Sequence, residues 1–237
     1  MCGRYTITLT LEEMMLRFLL DDSFPAYHTP KYNVAPGQMV LAIIHDGEKN
    51  RLGELKWGLV PSWSKDDKSG ARMMNARAET IADKPAYRLP FQRKRCLIPA
   101  DGFYEWKRTG KDKQPMRIVL KDEGLFAMAG LYDTWIAPDG SKLSTCTIIT
   151  VPSNGLMAGI HDRMPAILRR EDEQVWLDRR NQDSKLLQSL LKPYPEELMR
   201  AYPVSSLVGS VRNDTPECIR EVAAAAETSE HDIPYLF

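Results

Sequence analysis

The sequence is poor in cysteine and histidine, and what it has of each is scattered. Four cysteines, Cys2, Cys96, Cys146 and Cys218, stand among 237 residues, with four histidines. No two cysteines form a Cys-x-x-Cys pair, and no histidine lies at ligand spacing from one, so the usual zinc motifs are excluded and no metal or other cofactor is expected. No apolar run is long enough to span a bilayer, and residues 7–20 carry Glu12, Glu13 and Arg17, which no secretory leader would. These absences point to a cytoplasmic, reducing setting with free thiols and no membrane partner. Net charge is absent too: 32 basic residues balance 32 acidic ones. The total therefore marks no nucleic-acid binder, and such a role would need a local patch. There is no internal repeat, no low-complexity tract, and nothing to suggest more than a monomer.

What is present is an ordinary globular composition, 43% hydrophobic and 27% charged, long enough to bury a full core. Thr10-Leu11-Glu12-Glu13 reads as a capping box, with Leu11, Met14, Met15 and Phe18 following at helical spacing. Strands are expected over 39–44, 55–60, 96–99, 102–107, 116–120, 125–132 and 145–151. Turns are expected at Asp46-Gly47, Arg108-Thr109-Gly110 and Pro138-Asp139-Gly140. Helices are expected just after Asn154 and over 171–178, 184–191 and 195–202. Strands in the middle and helices toward both ends predict one compact α+β domain over 1–220, its mostly antiparallel sheet curled into a barrel, with peripheral helices and an acidic extension over 221–237.

Cys2 follows the initiator methionine directly. Small residues there permit removal of Met1, after which Cys2 carries a free α-amine and a thiol on adjacent carbons. Alternation along 102–107 puts Phe103, Glu105 and Lys107 on one face and Tyr104 and Trp106 on the other. Among aromatics, Glu105 is either a partly desolvated acid–base group or a surface glutamate on a half-buried strand. His161 sits among Asp162, Arg163 and Pro165 as either a general acid–base or a structural histidine. Asn75, between Arg72 and Arg77, either bonds a ligand or caps a turn. Over residues 71–120, twelve basic residues against five acidic ones leave an excess of seven. With Tyr87, Phe91 and Trp106 interleaved, and Trp57 and Trp63 upstream, this is a composition for single-stranded nucleic acid. Its plain alternative is a solvated charged face with core tryptophans.

In order along the chain stand MCGRY, YNVAPGQ (32–38), WGLVPSW (57–63), NARAET (75–80), RCLIPADGFYEWK (95–107), GIHDRMPAIL (159–168) and PVSSLVGSVRND (203–214). This ordered set, with a cysteine at position 2, resembles the SRAP family of SOS-response-associated, abasic-site-processing proteins. The resemblance implies a barrel-like domain with a basic groove for single-stranded DNA and a covalent protein–DNA crosslink at abasic sites. It implies Cys2 as nucleophile, Asn75 as the residue sensing the abasic sugar, and Glu105 and His161 as the acid–base pair. Arg4, Arg77 and Arg163 are implied as phosphate contacts, and Pro36 and Trp63 as wedge or stacking residues. One departure is Ser64, where some relatives carry a second aromatic.

The amine and thiol of Cys2 could close a thiazolidine ring on an abasic aldehyde, with a competing lyase reaction and peptidase-like trimming of Met1. Three rivals stand beside this reading. An N-terminal-nucleophile amidohydrolase acting on a small amide would also begin at Cys2. A non-catalytic DNA binder would tolerate Cys2→Ser. A buried structural thiol would make Cys2 matter for folding alone.

Overall fold

Apolar runs between residues 39 and 152 become the walls of a small closed barrel. The structure, a computed structural model, describes residues 2–20, 28–110 and 112–223. Most of the extension expected over 221–237 lies outside them. In chain order the strands are β1 (Tyr5–Ile7), β2 (Lys31–Val34), β3 (Met39–His45), β4 (Asn50–Trp57), β5 (Asn75–Arg77), β6 (Arg95–Ala100), β7 (Gly102–Thr109), β8 (Asp112–Leu120), β9 (Phe126–Ile136), β10 (Lys142–Pro152), β11 (Arg163–Pro165), β12 (Ile167–Leu168) and β13 (Met199–Pro203). The helices are α1 (Leu11–Phe18), α2 (Pro85–Arg93), α3 (Gly155–Ala158), α4 (Arg170–Leu177) and α5 (Ser184–Leu190).

Strands β4, β3, β6, β9 and β10 pair in that order, and β10 returns to pair with β4, so the ring closes. Closure removes the exposed edges that an open sheet would have to protect. Every residue of β6 is buried, as expected for a strand covered on both faces. At Gly130 on β9 an added Cβ would stand 2.8 Å from Cys96 Sγ, so side chain and backbone already fill that space. Cys96 and Cys146 are buried thiols of this core. Pairing is antiparallel except for β10 with β4 and with β5.

A second antiparallel sheet, ordered β13-β8-β7-β1-β2, leans on the barrel. Its strand β7 follows the expected alternation. Phe103 joins Cys2 and Tyr5 in the main core, while Tyr104 and Trp106 pack on the other side with Val119, Tyr202, Val204 and Val208. The first strand is fastened to the β6–β7 junction by one buried carboxylate. Asp101 accepts from the Thr6 and Thr8 hydroxyls, from the Thr8 amide at 2.7 Å, and from Arg117 Nη2 at 3.3 Å. Arg117 Nη1 in turn donates to the Tyr202 hydroxyl at 2.7 Å.

Thr10 and Glu13 form the expected capping box of α1, and the helices expected near 155, 171 and 184 are α3, α4 and α5. Two expectations need correction, and one helix had not been expected. The helix expected over 195–202 is a single 3-10 turn, Glu196–Leu198, followed by β13. There Met199 and Tyr202 are buried and Arg200 is exposed, and the backbone donors and acceptors are taken up by β8. The strand expected over 55–60 stops at Trp57, because Gly58 turns to φ +132°, and a Cβ there would stand 2.5 Å from the Gly70 carbonyl oxygen. Helix α2 was not expected, since two prolines discourage one. Pro85 begins the helix, where its missing N–H costs nothing, and Pro90 is tolerated inside as a buried packing residue beside Tyr87 and Phe91. No helix of the described residues is long and apolar enough to cross a membrane.

Asp101→Ala would leave Arg117 buried without its carboxylate and would release β1. We expect a loss of about 3 kcal/mol in unfolding free energy, measured by urea denaturation.

Candidate active site

Three segments far apart in sequence converge on the start of the chain. Cys2 lies just ahead of β1 and is wholly buried. Asn75 opens β5, whose parallel pairing with β10 sets Asn75 opposite Ile148. Two further bonds fix the strand's entry: Trp57 Nε1 donates to the Met74 carbonyl at 2.8 Å, and the Tyr87 hydroxyl donates to the Asn75 carbonyl at 3.4 Å. From that position Asn75 Nδ2 donates to the Cys2 carbonyl at 2.8 Å. Its Oδ1 is buried and accepts no hydrogen bond from any described residue. A buried amide oxygen in that state is an acceptor ready for a donor.

Glu105 projects from β7 and is only 3% exposed. The surface-glutamate alternative is therefore overturned. Burial raises its pKa above the usual carboxylate range, Asp162 adds to the rise, and His161 opposes it. The Cys2 thiol is pushed far up, first by burial and then by the Glu105 charge. The thiolate is the reactive form, so burial disfavours it and a base must take the proton before the sulfur attacks.

Glu105 and His161 line one open cleft of about 520 Å³ together with Trp106, Arg108, Lys113 and Asp162. The turn that delivers His161 is built locally. Asn154 caps α3 through Met157 N, and the His161 amide bonds back to the Met157 carbonyl at 2.8 Å. His161 Nδ1 lies 3.0 Å from the Arg163 amide and 2.9 Å from Asp162 Oδ1. The first contact needs a lone pair at Nδ1 and the second a hydrogen there, so the two contacts belong to different placements of the ring hydrogens.

The other expected residues fall in varied settings. Arg4 donates to Asn33 Oδ1 at 2.9 Å and to the carbonyls of Val208 at 2.6 Å and Gly209 at 3.2 Å, and it lies 6.0 Å over the Trp106 ring. It ties the N-terminal segment to the loop carrying the last motif. Arg163 makes a two-pronged bond to Glu79, at 2.6 and 3.0 Å, and reaches the Thr150 carbonyl at 2.6 Å. This bond draws the Glu79 pKa down. Arg77 is exposed on β5. Trp63 is 68% exposed, whereas Trp57 and Trp176 are core residues. Pro36 lines a separate pocket of about 340 Å³ with Trp57, Gly58 and Gly70. Cys2, Asn75, Glu105 and His161 thus share one neighbourhood; Glu105 and His161 line the cleft, and Cys2, Asn75 and Pro36 do not.

The family profile described as SOS response associated peptidase (SRAP) matches residues 1–211. The chain belongs to the SRAP family. Among curated relatives, abasic site processing protein YoqW of Bacillus subtilis (strain 168) is 55% identical over 222 residues, covering 92% of this chain and 99% of that protein. Abasic site processing protein HMCES of Gallus gallus is 38% identical over 81% of this chain and 66% of its own length. A crystal structure of a protein from Bacteroides thetaiotaomicron superposes with a TM-score of 0.80 at 29% identity, covering 94% of this chain and all of that one.

Within this SRAP domain, sequence reasoning passed over Asn33 and Glu79, which hold Arg4 and Arg163, and grouped Tyr87 with base-stacking aromatics, whereas it is buried and bonds the Asn75 carbonyl. Asn33 and Glu79 lie inside the quoted motifs, so the signal was present. Only the partners, 29 and 84 residues away along the chain, could not be read.

A carboxyl group whose pKa is raised on folding binds its proton more tightly in the folded state. Its ionisation therefore lowers stability as pH rises from the ordinary glutamate value through the raised one. Glu105→Gln removes that penalty. We expect a higher unfolding midpoint than wild type at about pH 8 and no gain at about pH 4, read by thermal denaturation across pH.

Proposed function

We propose that the chain captures abasic sites in single-stranded DNA through Cys2 once Met1 has been removed. The hydrogen bond from Asn75 to the Cys2 carbonyl is the observation that carries this reading. It holds the first residues of the chain beside a buried carboxyl group and a histidine. The names of the YoqW and HMCES relatives, both abasic site processing proteins, agree with it.

An abasic deoxyribose is partly an open-chain aldehyde. An α-amine with a pKa of about 8 is substantially neutral near neutral pH and can add to that carbonyl. The carbinolamine loses water to give a Schiff base between the Cys2 nitrogen and C1′. The thiol then adds across the C=N bond. Sulfur bonds to C1′, the thiol proton goes to the carboxylate that had protonated the leaving water, the nitrogen of the protonated imine takes the C=N electron pair, and a five-membered thiazolidine results. Ring closure is intramolecular and gains from proximity. It also removes the imine that water would hydrolyse.

Each proton transfer has a candidate group. Glu105, held toward its protonated form by burial, donates to the departing hydroxyl of the carbinolamine and takes the proton back from the thiol. His161 assists opening of the sugar ring and reversal of the crosslink. Asn75 holds the Cys2 backbone, and its free Oδ1 accepts from the amine or a sugar hydroxyl. While the Schiff base persists, its C2′ protons are acidic and the 3′-phosphate can leave, which is a lyase reaction that ring closure outruns. The Cys2 thiol could also attack the Met1 carbonyl, with transfer of the acyl group from nitrogen to sulfur and hydrolysis of the thioester releasing Met1. Arg77 and Arg163, with Trp63 and Pro36 further out, would contact the DNA around the lesion, and the reaction needs only a monomer and no cofactor.

Intact mass of the chain, alone and after incubation with a single-stranded oligonucleotide bearing one abasic site, tests this. The free chain should lack Met1, and the adduct should equal chain plus oligonucleotide less one water. Cys2→Ala should give no adduct, and Asn75→Ala should slow its formation by up to about 10²-fold. A processed chain that gives no adduct would sink the reading in favour of an amidohydrolase beginning at Cys2.

A further inference from the structure

The β7–β8 hairpin forms the outer wall of the cleft that holds Glu105 and His161, and its register is unusual in one respect. Arg108 stands directly opposite Lys113. Residues in that relation share a face, with Cβ atoms about 5 Å apart, and like charges so placed destabilise a hairpin. Both are exposed, and neither makes a hydrogen bond or ion pair with any described residue. Both line the cleft, beside Trp106. Elsewhere the cleft's charges are matched. His161 has Asp162, and nearby Arg163 has Glu79. Among the described residues lining the cleft, Arg108 and Lys113 are the exposed lysine and arginine side chains, and they lie inside the stretch with the basic excess of seven.

A repulsive pair at the lip of a cleft is stabilised by an anion that bridges it. The guanidinium offers a fork to two oxygens and the ammonium adds a point charge. We propose that Arg108 and Lys113 form a two-cation clamp for one backbone phosphate of single-stranded DNA flanking the reactive cleft. The clamp rests on the DNA reading above and names the part of the protein that holds the strand beside the lesion. It is separate from the chemistry of Cys2, so undamaged DNA should feel it as well.

The test is binding of the full chain to a fluorescein-labelled, undamaged single-stranded oligonucleotide, followed by anisotropy over a range of salt concentration. The clamp neutralises one phosphate, so Arg108→Gln with Lys113→Gln should reduce the slope of log affinity against log salt by about 0.7. The swap of Arg108→Lys with Lys113→Arg should keep the wild-type slope. Lys142→Gln, at the start of β10 and outside the lining of the cleft, should leave the slope unchanged. Thermal unfolding of the double Gln variant should match or exceed wild type, because the repulsion is gone. A double variant that keeps the wild-type slope overturns the clamp while wild-type binding upholds the DNA reading. A wild-type chain that binds no single strand overturns both.

Discussion

Asp101 ties the beginning of the chain to the rest of the molecule. A three-residue strand such as β1 has little pairing of its own, and a short N-terminal segment ordinarily frays. The Asp101 carboxylate answers this by taking bonds from Thr6, Thr8 and Arg117 together. Gly102 follows because nothing larger fits: a Cβ there would stand 2.8 Å from Arg117 Nε and 2.9 Å from Thr6 Oγ1. With β1 so fixed, Cys2 is held a few residues upstream, where Asn75 and Arg4 complete its placement.

The same placement sets up an electrostatic conflict. A thiol and a carboxyl group are both buried here, and the Glu105 charge adds to the cost of ionising the Cys2 thiol. A fold selected for stability alone would fill these positions with apolar residues of similar size. Keeping them fits a site where protons must move between weakly acidic groups near neutral pH. On the proposed reading, removal of Met1 turns the first residue of the chain into an amine and a thiol on adjacent carbons, and the surrounding groups are those such a reagent needs.

Much of this was legible in the sequence, for definite reasons. The capping box at Thr10 and Glu13 is a local device, and local devices survive folding unchanged. Alternation on 102–107 separated Phe103 and Glu105 from Tyr104 and Trp106, because a strand's period is independent of what covers it. Residues 195–202 carry a helical pattern of apolar residues, yet β8 needed an edge partner, and tertiary pairing overrode local preference. Helix α2 was hidden by its prolines. At the site, residue types were visible but partners were not. Nothing local shows that Asn75 would reach Cys2 across 73 residues, or that Glu79 would grip Arg163. The burial of Glu105 is likewise a property of the assembled sheet.

The central claim is that Cys2 engages one carbon through two of its atoms. Its most direct test is the carbon-13 spectrum of the adduct formed with single-stranded DNA labelled at C1′ of the abasic nucleotide. A saturated C1′ bonded to nitrogen and sulfur is the expected result. An imine carbon in the stable adduct, or an aldehyde carbon left unmodified by the processed chain, would contradict it.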